Sequence, residues 1–186
     1  MVATVNQSHF RIRTDATAAQ GGTPVWAAAQ DVNISLNVST NCRIRLCISN
    51  TGATNSSSVT HELWVSRNSG AYAQASSSTF VNMVDATGGL SANGSAITTG
   101  LLTAVGTFDI VGEYVSTGLS SAVSIVAGDC DEFEYGVSIA ASASVGDTYD
   151  WEMRQVGGGV ISGVYSFIPR ITVSSGSDVL HPGGCL

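Results

Sequence analysis

The fold this sequence predicts is an all-β, antiparallel β-sandwich, immunoglobulin-like or jelly-roll-like, of about nine to eleven strands. Two observations predict it. Apolar residues recur at every second position in short runs, and clusters of Gly, Ser, Asn and Asp separate those runs. The chain also carries 21 glycines and only 11% charged residues, a composition suited to tight turns and poor in the Leu, Glu, Lys and Arg that long helices need. A closed barrel is the alternative arrangement of the same strands.

Taken in order, Phe10 and Ile12 alternate with Arg11 and Arg13. Val32, Ile34, Leu36 and Val38 alternate with Asn33, Ser35 and Asn37, and Cys42, Ile44, Leu46 and Ile48 alternate with Arg43, Arg45 and Cys47. Each run therefore has one core face and one face expected to be wet. His61 to Arg67 puts Leu63 and Val65 on one side and Glu62, Trp64 and Ser66 on the other. The step Asn68-Ser69-Gly70 then reads as a tight turn into Ala71-Tyr72-Ala73, a hairpin. Phe80 to Val84 is a further strand. Asp85 to Gly100 has no period and reads as an exposed loop or excursion.

Beyond it, Gly106 to Tyr114 and Val123 to Val126 are weaker strands. Asp131 to Ala141 is strong, with Phe133, Tyr135, Val137 and Ile139 on one face. Tyr149, Trp151 and Met153 form the next set, behind a Gly146-Asp147 turn. Val164 to Val173 is the last strand, with Pro169 marking an edge or bulge. These assignments divide the chain into an N-terminal arm (1–8), a β-sandwich domain (9–173) and a polar C-terminal tail (174–186), since one core suffices for 186 residues.

Fourteen acidic residues against seven basic ones give a net charge of −7, which repels a nucleic-acid backbone or an anionic membrane, so neither is an expected partner. No apolar run is long enough to span a bilayer as a helix, and the start lacks the basic and apolar regions of a signal peptide, so folding in a cytosol is the expectation.

Catalytic chemistry finds few candidates. His9, His61 and His181 show no metal-ligand spacing and read as turn or surface histidines, and no G-x-S-x-G elbow occurs. Cys42 and Cys47 fall on opposite faces of one strand and cannot pair with each other; with Cys130 and Cys185 they read as free thiols in a reducing compartment, a long-range or intersubunit bond through Cys185 being the alternative. The acidic run Asp129 to Glu134 does not match a calcium-binding loop. Glu132 and Glu134 read as adjacent carboxylates on a wet face, within reach of Arg43 and Arg45 should those strands be neighbours. No enzyme activity, cofactor or metal is expected. Among the tryptophans, Trp26 and Trp151 read as core, while Trp64 faces away from Leu63 and Val65, so that either its face is covered or its ring is free for a partner.

Five stretches together resemble a family of virion proteins of tailed bacteriophages. They are HFRIRTDATAAQGGTPVWAAAQDVNISL from His9, CRIRLCISNTGAT from Cys42, ELWVSRNSGAYAQ from Glu62, DEFEYGVSIAASASVGDTYDWEMR from Asp131 and GVYSFIPRITV from Gly163. The hairpin around Arg67-Asn68-Ser69-Gly70-Ala71-Tyr72 is the most distinctive. The resemblance implies an immunoglobulin-like sandwich in a capsid decoration (cement) or tail-associated role. Expected partners are then the major capsid protein or other virion proteins and further copies of the chain, as a homotrimer, with the protein assembled in the host cytoplasm and located on the capsid surface. A tail adhesin or carbohydrate-binding module is the alternative. The candidate interaction residues are Trp64, Arg67 and Tyr72 on the hairpin and His181 and Cys185 in the tail.

Overall fold

The computed structural model describes residues 2–14, 23–86, 91–103, 106–109 and 111–175. Its strands are β1 (Val5–Thr14), β2 (Ile34–Leu36), β3 (Asn41–Asn50), β4 (Val59–Arg67), β5 (Ala73–Gln74), β6 (Val81–Met83), β7 (Thr107–Phe108), β8 (Tyr114–Val115), β9 (Leu119–Val123), β10 (Asp129–Ile139), β11 (Thr148–Gln155) and β12 (Arg170–Val173). One sheet runs β1-β3-β10-β6, with β7 and β8 also on β10; the other runs β2-β12-β11-β4-β5, with β9 also on β4. The alternating apolar residues of both sheets meet in one core, where Ile12, Leu46 and Phe133 of the first share a cluster with Val65, Trp151 and Ile171 of the second. The sandwich is thus as the alternation predicts.

Strand direction differs from the expectation. The long pairings are antiparallel, but β7 and β8 lie parallel to β10 and β2 lies parallel to β12. These short strands reach their partners through long connections rather than hairpins, which is what parallel pairing requires.

Several boundaries also move. The N-terminal arm is shorter than eight residues, because β1 begins at Val5. Gln7 is buried within it: its side-chain nitrogen donates to the Phe167 carbonyl at 2.9 Å, and its side-chain oxygen accepts from Met153 N–H at 2.9 Å. A polar residue can be sealed in when both ends are satisfied. Of the predicted strand Val32 to Val38 only Ile34–Leu36 is extended and paired, and of Val164 to Val173 only Arg170–Val173 is. Residues before Pro169 instead lie along β1, where Gly163 N–H donates to Val5 O, Gln7 N–H to Val164 O and Ser166 N–H to Gln7 O. The strand expected at Val123 to Val126 lies earlier, as β9.

The largest correction concerns the face of β3 and β10 expected to be wet. Arg43, Arg45, Glu132 and Glu134 are all fully buried, as is Arg13 of β1. Their roof is made by Ser91 and Thr99 of the expected excursion, with Leu101, Leu102 and Tyr114 beyond it. Arg45 Nη1 donates to the Thr99 carbonyl at 3.3 Å, the N–H groups of Leu101 and Leu102 donate to the Glu132 carboxylate, and Arg43 lies 5.5 Å from the Tyr114 ring centroid. Beneath it, Arg45 bridges both glutamates, to Glu132 at 2.9 Å and Glu134 at 2.8 Å, and Arg43 reaches Glu134 at 3.2 Å. The pairing expected of neighbouring strands is present, under cover. The chain's seven basic residues are all arginine, the cation whose planar fork and weak hydration suit such burial.

Two more expectations are overturned. His61 is a core residue of β4, 2% exposed and against Phe133, rather than a surface histidine. Trp26 is half-buried outside the core: it bridges to Arg13 on the edge of β1 away from β3, and Arg11 lies over its ring at 4.6 Å. Cys42 faces the core and Cys47 the opposite side, beside Cys130 under Leu102; all three are buried.

Candidate interaction surface

The outer face of the second sheet is built by the same alternation that buries its inner face. With Leu63 and Val65 inward, β4 turns Glu62 and Trp64 outward; with Trp151 and Met153 inward, β11 turns Asp150, Glu152 and Arg154 outward. The antiparallel register sets Trp64 opposite Glu152, and Glu62 opposite Arg154. The hairpin then folds back. Asn68 and Ser69 both take positive φ, 51° and 59°, and Gly70 N–H donates to Arg67 O at 2.9 Å, so the two-residue loop has the twist that antiparallel strands favour. This returns Tyr72 and Gln74 alongside Trp64.

Arg154 occupies the centre. Its guanidinium carbon is 4.9 Å from the Trp64 ring centroid and 4.8 Å from that of Tyr72, and its Nε and Nη2 donate to Glu152 at 3.1 and 2.8 Å. Cation–π attraction and the ion pair together fix one arginine against two rings. Glu62 is 2% exposed and accepts from Trp64 Nε1 at 2.7 Å, Gln74 Nε2 at 2.8 Å and Gly158 N–H at 2.9 Å. Burial, with Glu152 nearby, pushes the Tyr72 hydroxyl well above its ordinary range. Gly158, at φ +82°, closes the rim: a Cβ there would lie 2.7 Å from the Trp64 ring. The row continues through Arg170, which grips Asp150 with two bonds of 2.6 and 2.8 Å.

Trp64 and Tyr72 are therefore brought together, as the hairpin motif suggests, and the Trp64 ring is partly covered. Arg67 does not join them. It donates to Asp147 at 2.6 Å, and Asn68 donates to the same carboxylate at 2.7 Å, tying the β4–β5 turn to the start of β11. His181 and Cys185 lie outside the described residues. Sequence reasoning missed Arg154, Glu62 and Glu152. The outward alternation of β11 was a signal for two of them, but their neighbours depend on the β4–β11 register, which pairs residues far apart in the chain.

A second surface lies on the edge of the sandwich. The segment held along β1 exposes Val160, Val164, Phe167 and Ile168, and Val156 precedes it. From Val156 to Pro169 the chain contains no charged residue. Phe167 is anchored by stacking on His9, ring centroids 5.3 Å apart, and His9 is in turn held by Asp31 at 2.7 Å.

No family model matches the chain, and no curated protein sequence is significantly similar to it. Its chemistry is accordingly read from its own side chains. Among the described residues no group of three or more His, Cys, Asp or Glu is placed to hold a metal ion, and the two surfaces offer stacked rings, paired charges and an uncharged apolar strip.

Proposed function

We propose that this protein is a non-enzymatic structural component of a bacteriophage virion, in the first place a capsid decoration (cement) protein that binds the assembled shell, as a homotrimer on the capsid surface. The observation that carries this reading is the uncharged strip Val156–Ile168. Val156, Val160, Val164, Phe167 and Ile168 are exposed, Ile161 anchors the strip in the core, and the backbone of Gly163, Val164 and Ser166 is bonded along β1, so docking costs little ordering entropy. In a chain of net charge −7, an uncharged apolar edge suits a protein partner such as the major capsid protein. A protein that binds only the assembled shell stabilises it by mass action. The resemblance to tailed-phage virion proteins points the same way.

Mass spectrometry of purified virions, with gold-labelled antibody, tests the reading. High-copy label over the head, and loss of shell binding in Val164→Glu, are expected. Absence from virions together with no affinity for expanded shells would overturn it. Trp64 and Tyr72 favour a second reading, a tail-associated adhesin or carbohydrate-binding module, in which Arg154 would have to leave its place between the rings for a sugar to stack there. A glycan screen of wild type and Trp64→Ala separates the two, since only the second predicts a response that the substitution abolishes.

A further inference from the structure

Six of the seven arginines are paired. Arg13, Arg43 and Arg45 bind Glu132 or Glu134, Arg67 binds Asp147, Arg154 binds Glu152 and Arg170 binds Asp150. Arg11, the seventh, makes no ion pair among the described residues. Its Nε donates to the Ala28 carbonyl at 2.8 Å and its guanidinium lies over the Trp26 ring. These contacts fix the group and leave its two Nη nitrogens, neither of them sealed from water, to grip a carboxylate.

The surroundings of Arg11 are apolar. Residues 25–31 lie along the edge of β1 that faces away from β3, with Ala27 N–H donating to Ile12 O and Asp31 N–H to Phe10 O, both at 2.9 Å. They expose Val25, Ala27 and Ala29, and Val32 follows, also exposed. No charged residue occurs from Thr23 to Gln30, and Asp31 is already taken by His9 and by Phe10 N–H. A partner suited to this surface carries one carboxylate beside apolar side chains.

The chain itself carries such a segment. Ser175 is the last described residue, and of the eleven residues beyond it only Asp178 has a formal charge; Val179 and Leu180 follow it at once. β12 runs parallel to β2, with Ser174 N–H donating to Leu36 O at 3.0 Å, so the chain leaves in the direction that takes β2 away from Val32. Eleven residues span at most about 35 Å, enough to cross to a neighbouring copy.

We propose that residues 176–186 of one copy dock on the β1 edge of the next, with Asp178 paired to Arg11 and with Val179 and Leu180 packed against Val25 and Val32. The contact joins a tail to an edge, and three such contacts close a ring. It gives the homotrimer proposed above, on which it rests, its interface, and it leaves the strip Val156–Ile168 free for the shell.

Sedimentation equilibrium of the full chain, in a reducing agent that excludes bonds through Cys185, is the test. Concentration-dependent assembly to a trimer is expected. Arg11→Glu and Asp178→Arg should each raise the dissociation constant at least about tenfold. The two together reverse the pair and should restore association to within about threefold of wild type. Asp178→Arg alters no residue of the sandwich, so its result stands even where Arg11→Glu does not fold. A full chain that is monomeric at every concentration, single variants that associate as wild type does, or a double variant no better than the singles would overturn the proposal. So would a tail bound to its own copy, seen as amide shifts at Val25 and Val32 on Asp178→Arg with no change in mass. A monomer that still labels phage heads would remove this contact and leave the capsid reading standing.

Discussion

Arg45 and Glu134 stand directly opposite each other on β3 and β10, joined at 2.8 Å with both side chains sealed from water. Pairing of this kind orders more than it stabilises. Two charges lose their hydration to form it, and in the interior the gain and the cost are of similar size. Its consequence lies in what happens when one partner is removed.

Glu134→Ala leaves Arg45 and Arg43 without the carboxylate that both bind, and should lower unfolding free energy by about 3–5 kcal/mol. Replacing Arg45 and Glu134 together by Met and Leu should cost clearly less than the sum of the two single changes. Denaturant unfolding of the four proteins checks this. Additive losses would mean that the two side chains act independently.

His61 gives stability a pH dependence. Its folded pKa, about 4, lies below the ordinary 6.5, so between those values the unfolded chain takes up the proton that the folded chain refuses. Stability is full above pH 6.5 and falls toward pH 4, by about 3 kcal/mol over the window. Asp131 works in the opposite sense. Burial, reinforced by Asp109, raises it to about 7, so its contribution is greatest below the ordinary carboxylate range and is lost as pH rises toward 7. Thermal melts from pH 4 to 7 in an Asp131→Asn background should therefore rise with pH, and adding His61→Phe should flatten them. A rise that survives both substitutions would place its origin elsewhere.

The sequence made the direction of each side chain legible, since a period of two is local. Leu63 and Val65, Phe133 and Tyr135, Trp151 and Met153 all face inward as their alternation requires. It did not reveal what covers the other side. Arg43, Arg45, Glu132 and Glu134 fall on one face by spacing alone, but that residues 91–102 lie over them depends on a segment without periodicity, whose glycines and serines read equally well as open loop. The interaction surface divides in the same way: the turn at Asn68-Ser69 announces that Trp64 and Tyr72 are close, while Arg154 comes between them through a register set by residues about ninety positions apart.

Gly158→Ala tests how tightly the Trp64 rim is closed. The position has φ +82°, and the added methyl would lie 2.7 Å from the ring, so both backbone and packing resist it. A loss of about 1–2 kcal/mol is expected, with a change in Trp64 fluorescence that Trp64→Phe removes. Gly157, at φ +81° with open space around its Cβ position, isolates the backbone part, and Gly157→Ala should cost less and leave the fluorescence unchanged.

Asp147 sets the acid response of the hairpin lock. Hydrogen bonds from Asn68, from Ser144 N–H and from Arg67 hold its pKa down to about 2. Its contribution is complete above the ordinary carboxylate pKa and is lost as pH falls through about 2, because only then does the folded protein accept the proton that the unfolded chain already binds. Asp147→Asn removes the charge but keeps the shape. The gap in melting temperature between wild type and variant should be constant above about pH 5, narrow below pH 4 and largely close by pH 2. A gap that persists undiminished to pH 2 would show that the lock depends on the geometry of the carboxylate rather than on its charge, and would remove Arg67 from any electrostatic role in holding β4 to β11.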